Sequence, residues 1–164
     1  MKIISLILAF VFVSFSMPAI SSVTLTFKEG QKFIDYELSG ENRKKSLKIL
    51  TTDFHALFDL LSKNYFTKDQ KMEVSVTNID LAGEIKFNQS SAGQNIRVLK
   101  DTNFIRLYFN YQVKDSNGEL LNEGQYELRE LTRSSSSRNS INRFGRIKHF
   151  VKPLKNWFLA TFAK

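Results

Sequence analysis

Asp80, Glu84 and Asp101 are the residues of this sequence best placed to do acid/base work or to hold a cation. Each follows or ends an apolar, strand-like segment, and strand ends with their loops are where a cleft gathers carboxylates. The commoner use of such residues is structural: they hydrogen-bond a turn or offset a nearby cation, here Arg97 or Lys100. His55 falls on the polar side of a helical pattern one turn before Asp59, a spacing that gives a weak i to i+4 contact. His149 adjoins Lys148, whose charge disfavours the protonated imidazole. There is no Cys, so disulfides and thiolate metal sites are excluded, and two His do not assemble a multi-histidine zinc centre. Phosphate-loop and dinucleotide glycine patterns, Gly-x-Ser-x-Gly, His-Glu-x-x-His and EF-hand loops are all absent. No metal, no cofactor and no reaction is implied.

The stronger chemical signal is cationic. Residues 22 to 128 carry 14 basic and 15 acidic side chains, net −1, whereas residues 129 to 164 carry nine basic groups and only Glu130, net +8. Arg133, Arg138, Arg143, Arg146, Lys148, Lys152 and Lys155 are the candidate residues for an anionic surface, because such a field attracts phosphate- or carboxylate-rich partners. Phe144, Phe150, Trp157, Phe158 and Phe162 interleave with them on the apolar side of a helical projection. Two readings follow. The helix lies in a lipid interface, or its apolar stripe is core and its cations are a solvated face, as is usual for a terminal amphipathic helix.

These residues need elements to hold them. Val23 to Phe27 alternates apolar and polar residues as a half-buried strand does. A short apolar cluster at Phe33, Ile34 and Tyr36 follows, then a helical stripe of Leu47, Leu50, Phe54, Leu57, Phe58 and Leu61 within a helix from about Glu41 to Lys63. Met72, Val74 and Val76 continue as a strand whose apolar phase slips to Ile79 and Leu81, which marks a β-bulge near Asn78. Gly83 ends it, a polar loop covers Asn88 to Gln94, and Ile96 to Leu99 is apolar again. Ile105 to Val113 alternates cleanly, Asp115-Ser116-Asn117-Gly118 is a turn, and Leu120 to Leu131 returns as a hairpin with a bulge at Gly124. Residues 134 to 140 are a polar Ser/Arg connector. Ile141 to Phe162 has helical spacing with Pro153 inside it, so two short helices or one kinked helix are expected. The order implies an α+β fold: a small, mostly antiparallel sheet of about four strands, with the long amphipathic helix and the C-terminal helix packed on one face.

Residues 1 to 21 have the order of a secretory signal peptide, with Lys2, an apolar run from Ile3 to Val13, and small residues up to Ser22. The apolar run is well short of the ~20 residues that a membrane span needs. Cleavage after Ser21 is expected, with Ala19 and Ser22 as the alternative sites, leaving residues 22 to 164 as one exported domain with a basic C-terminal segment and no transmembrane helix.

Thr77-Asn78-Ile79-Asp80-Leu81-Ala82-Gly83-Glu84 followed by Ile96-Arg97-Val98-Leu99-Lys100-Asp101 resembles an uncharacterised family of exported proteobacterial proteins, the domain of unknown function numbered 3016. Val23 to Phe27, Phe33 and Asp35, the hairpin with Gly118 and Gly124, and Asn156-Trp157-Phe158 follow the same order of elements. The resemblance implies a periplasmic or secreted protein of a Gram-negative bacterium, and no activity, cofactor or partner. Three functions fit these readings. The first is a non-catalytic envelope-associated module that binds an anionic envelope component or an acidic protein through the basic segment. The second is a chaperone or assembly module that binds through a sheet edge, and the third a hydrolase using the strand-end carboxylates. Nucleic acid is the weaker partner for an exported chain.

Overall fold

The computed structural model describes residues 22–28, 33–88, 95–100, 102–132 and 142–163, with Asn142 and Arg143 described in their backbone only. The expected signal peptide, the Ser/Arg connector, Asp101, Arg133 and Arg138 lie outside the described residues.

The chain runs β1 (Ser22–Phe27), α1 (Arg43–Ser62), β2 (Lys71–Asp80), β3 (Glu84–Lys86), β4 (Ile96–Val98), β5 (Phe104–Lys114) and β6 (Leu120–Leu131). A 3-10 segment (Asn142–Ile147) and α2 (Lys148–Phe162) close it. β1, β2, β5 and β6 form a mixed sheet in that order, with β1 parallel to β2 and the other two pairings antiparallel. β3 and β4 form a separate two-stranded arm.

α1 starts where Asn42 accepts the Lys45 N–H at 2.9 Å, satisfying one of the free donors of the first turn. Its buried face is Leu50, Phe54, Leu57, Phe58 and Leu61, while Leu47, placed in the stripe by periodicity, is only half-buried. The position on that side is taken by Ser46, whose hydroxyl accepts the Leu38 N–H at 2.9 Å. In the sheet, alternation puts Val23, Leu25, Met72, Val74, Val76, Ile105, Leu107, Phe109 and Val113 on the helix side. The register shifts between Val76 and Asn78, and this bulge returns Ile79 to the buried face, as the slipped apolar phase implies.

Aromatic rings weld the layers. Phe109 meets Phe58 of α1 at 5.4 Å and Trp157 of α2 at 4.9 Å, both edge-on, so one β5 residue touches both helices. The apolar side of α2, formed by Phe150, Leu154, Trp157 and Phe158, is wholly inside. Of the two readings of that stripe, the core one is therefore the observed one.

Two local expectations are corrected. Gly124 is not a bulge: it stands directly opposite Tyr111, and the irregularity falls at the turn end, between Val113 and Lys114. A Cβ at Gly124 would lie 3.0 to 3.2 Å from the Tyr111 ring, a tight contact that the ring would have to yield to by a few tenths of an ångström. The C-terminal segment breaks at Ile147, not at Pro153. There a 3-10 turn containing the non-helical Phe144 gives way to α2, which runs on through the proline. Glu84–Lys86 is a further short strand, held by antiparallel pairing with Ile96–Val98.

Candidate functional site

The cations of the C-terminal segment are sorted by α2. Lys148, Lys152 and Lys155 are exposed and follow i, i+4, i+7 spacing, so they form one stripe along the outside of the helix whose other side is core. Leu159, 55% exposed, continues the line. Arg146 differs from these lysines. Its Nε and Nη2 donate to Oδ2 and Oδ1 of Asp53 at 2.8 and 3.0 Å, a bidentate pair that holds the guanidinium proton more tightly and joins the 3-10 segment to α1. Asp53 would otherwise be a buried carboxylate without a cation. Lys45, Lys48, Ile49, Thr52, Asp53 and Arg146 line a concavity of about 440 Å3, so α1 adds its own lysines to this side of the molecule. α1 has four cations against two carboxylates, and the 3-10 segment with α2 has five cations and no carboxylate. The four strands of the sheet hold four cations and five carboxylates, so the positive field belongs to the helical layer.

The carboxylates sit in a different place and do a different job. The segment after β1 returns along the end of β2: Asp35 N–H donates to Ile79 O at 3.1 Å and Leu81 N–H to Asp35 O at 2.9 Å. Arg97 of β4 reaches across to this turn. Its Nη1 donates to Asp35 Oδ2 at 2.5 Å and Ala82 O at 2.6 Å, and its Nη2 to Asp35 Oδ1 at 3.0 Å and Glu37 O at 2.5 Å. Asp80 closes the other half, accepting from Ala82 N–H at 2.8 Å and from Arg106 Nη1 at 2.9 Å. Ala82 and Gly83 are both left-handed, at φ 63° and 77°, and a Cβ on Gly83 would collide with the Val98 carbonyl. The string Thr77 to Glu84 with Ile96 to Lys100 is thus a polar knot that fixes the β3–β4 arm to the sheet. The family described as "Protein of unknown function (DUF3016)" matches residues 21–160, which contain the whole knot and the lysine stripe.

The chain belongs to the DUF3016 family. No curated protein matches it. Among solved structures it is similar to "Crystal Structure of Lipoprotein GNA1162 from Neisseria meningitidis", at 17% identity over 65% of this chain, with a TM-score of 0.25. The match spans 62% of that protein's length.

In this DUF3016 chain both Asp80 oxygens are engaged, and Glu84, at the start of β3, pairs with Lys86 at 2.6 Å, a hydrogen bond that lowers its proton affinity. The two carboxylates face different cations and neither lines either concavity described here. Among the described residues no group of three or more His, Asp or Glu is placed to hold a metal. Asp35 and its partner Arg97 are 62 residues apart, a pairing that local spacing does not reveal.

Both histidines differ from simple surface residues. His55 does not serve Asp59, which pairs instead with Lys63 at 2.7 Å. Its Nε2 lies 2.8 Å from the Val23 carbonyl of β1, and since a carbonyl only accepts, Nε2 carries the proton. His149 has its Nε2 buried with no hydrogen-bond partner among the described residues, and burial, then Lys148, lowers its pKa from the ordinary value.

The second face of the sheet is polar. Thr24, Ser75, Asn110, Gln112, Glu123 and Gln125 stand in cross-strand rows there and line an open concavity of about 710 Å3. Both described helices lie on the opposite side, and none of those helices is long and apolar enough to cross a membrane.

Proposed function

We propose that this protein is an exported, non-catalytic module of the bacterial envelope that holds an anionic surface, such as phosphate-bearing lipid headgroups or an acidic protein, against the basic face of its helical layer. The observation that carries this reading is the exposed Lys148, Lys152 and Lys155 stripe on a helix whose apolar side is spent in the core. Attachment by such a face is electrostatic and peripheral, without inserted side chains, so it is screened over ~8 Å at physiological salt. Arg133, Arg138 and Arg143 adjoin this segment in sequence and carry the same sign of charge. Arg146 contributes less, because Asp53 already offsets it.

Co-sedimentation with vesicles containing phosphatidylglycerol, against neutral vesicles and at low and high salt, tests the reading. Binding to the anionic vesicles alone, lost as salt rises, is the expected result; indifference to them at low salt removes the lipid form. Export is tested separately by intact mass of the species recovered from the periplasm, expected to begin at or near Ser22.

A sheet-edge module is the second reading, and one feature favours it: β6, at 12 residues, is an edge strand with no strand beyond it among the described residues.

A further inference from the structure

The outer edge of β6 has a defined chemistry. Thr132 N–H donates to Asn103 O at 2.8 Å, toward β5. The β5–β6 register runs without a shift from Phe104↔Leu131 to Val113↔Asn122. Backbone groups alternate sides along a strand, so the even-numbered residues from Asn122 to Glu130 bond β5, and Glu123, Gln125, Glu127, Arg129 and Leu131 direct their N–H and C=O groups outward. These same five side chains stand on the polar, helix-free face, where Gln112 Nε2 donates to Glu123 at 3.0 Å and the Arg129 guanidinium lies 4.3 Å from the Phe104 ring centroid.

We infer that β6 pairs with β6 of a second copy of this chain, antiparallel about a two-fold axis at Tyr126, to make one continuous sheet across the dimer. In that register Glu123 faces Arg129, Gln125 faces Glu127, and Leu121, 49% exposed, faces Leu131, each pair occurring twice by symmetry. Sliding the register by two residues sets Glu127 against Glu123 one way and against itself the other way, so like charges meet directly. Only the first register gives every charged edge residue a complementary partner while all five outward residues stay within the ladder. Charges on an edge strand ordinarily guard against pairing. Here their order, acid–amide–acid–base along alternate positions, is self-complementary about the axis, which a guard has no reason to be. The inference does not depend on the basic helical face: those lysines are on α2, and the edge residues are on the other face of the sheet.

Charge exchange tests it. In sedimentation equilibrium the purified protein is expected to dimerise with concentration. Arg129→Glu and Glu123→Arg each turn two attractive pairs into two repulsive ones, and are expected to weaken association about tenfold or more. The double variant E123R/R129E restores opposite charges in the same register and should recover dimerisation close to that of the wild type. Recovery in the double variant excludes misfolding as the cause of the single defects. Three results overturn the inference: a monomeric wild type at all concentrations, single variants that dimerise as the wild type does, or a double variant that stays weakened. A monomeric wild type would return the β6 edge to a client strand of another protein. Vesicle binding retained by R129E would separate this outcome from the fate of the basic face.

Discussion

Arg97 grips Asp35 through two N–H···O bonds of 2.5 and 3.0 Å across 62 residues of sequence, and the same guanidinium donates to the carbonyls of Ala82 and Glu37. Four acceptors from three residues, on two stretches of chain, converge on one planar cation. No lysine reproduces this fork, because an ammonium is a point donor. The pair is 14% and 30% exposed, so it is partly screened, and the loss on cutting it is smaller than for a fully buried pair.

Arg97→Met is therefore expected to lower stability by about 2 kcal/mol, the cost of stranding Asp35 and two carbonyls. Arg97→Lys should recover less than half of that. Urea unfolding gives the stability, and the protection of the Ile96–Val98 amides from hydrogen exchange locates the loss at the β3–β4 arm; unchanged protection there would refute the structural role.

Phe109→Asp removes a ring that touches both helices and buries a carboxylate in its place. A loss of about 4 kcal/mol or more is expected, enough to unfold a domain of this size. Circular dichroism and thermal denaturation check it, and a wild-type melting curve would contradict the assignment of Phe109 to the core.

Much of this architecture is legible from periodicity. The Ile105 to Val113 alternation and the Val76-to-Ile79 slip follow directly from the pleat, and the α1 stripe from helical geometry, because in each case the side chains that repeat are the ones the core takes. What escapes is what a distant residue decides. The strand at Glu84–Lys86 is held by its partner, Gly124 lies under a tyrosine ring of the neighbouring strand, and His55 serves a carbonyl 32 residues away. The basic segment shows the same limit. Its charge is plain in the sequence, but the neutralisation of Arg146 by Asp53 and the exposure of the three lysines as one stripe need the packing of α2 on the sheet.

His149 supplies a pH dependence. Its folded pKa lies below the ordinary ~6.5 through burial and Lys148, so below that value the unfolded chain takes up the proton first and stability falls with pH. The stabilising difference is fully present above ~6.5 and is lost as pH drops from there toward the folded pKa. His149→Gln should leave the melting temperature at pH 7.5 little changed and flatten the decline between pH 7 and 5; a variant with the full wild-type decline would assign it to other groups.

The two sides of α2 can be separated by mutation because they do different work. Lys148, Lys152 and Lys155 make no ion pair among the described contacts, so changing all three to Gln should alter stability by no more than about 0.5 kcal/mol. The same change removes all three Lys cations of α2 and should abolish salt-sensitive binding to anionic vesicles. Trp157 lies against Phe58, Phe109, Tyr111 and Tyr126, so Trp157→Ala should lower stability by about 3 to 5 kcal/mol. Any of that variant which remains folded, at low temperature or with a stabilising osmolyte, keeps its lysines and should still bind the vesicles. The opposite pattern, in which the lysine variant binds normally and folded Trp157→Ala does not, would mean that the aromatic side leaves the core to enter lipid, and would overturn both the packing of α2 as the working state and the electrostatic reading.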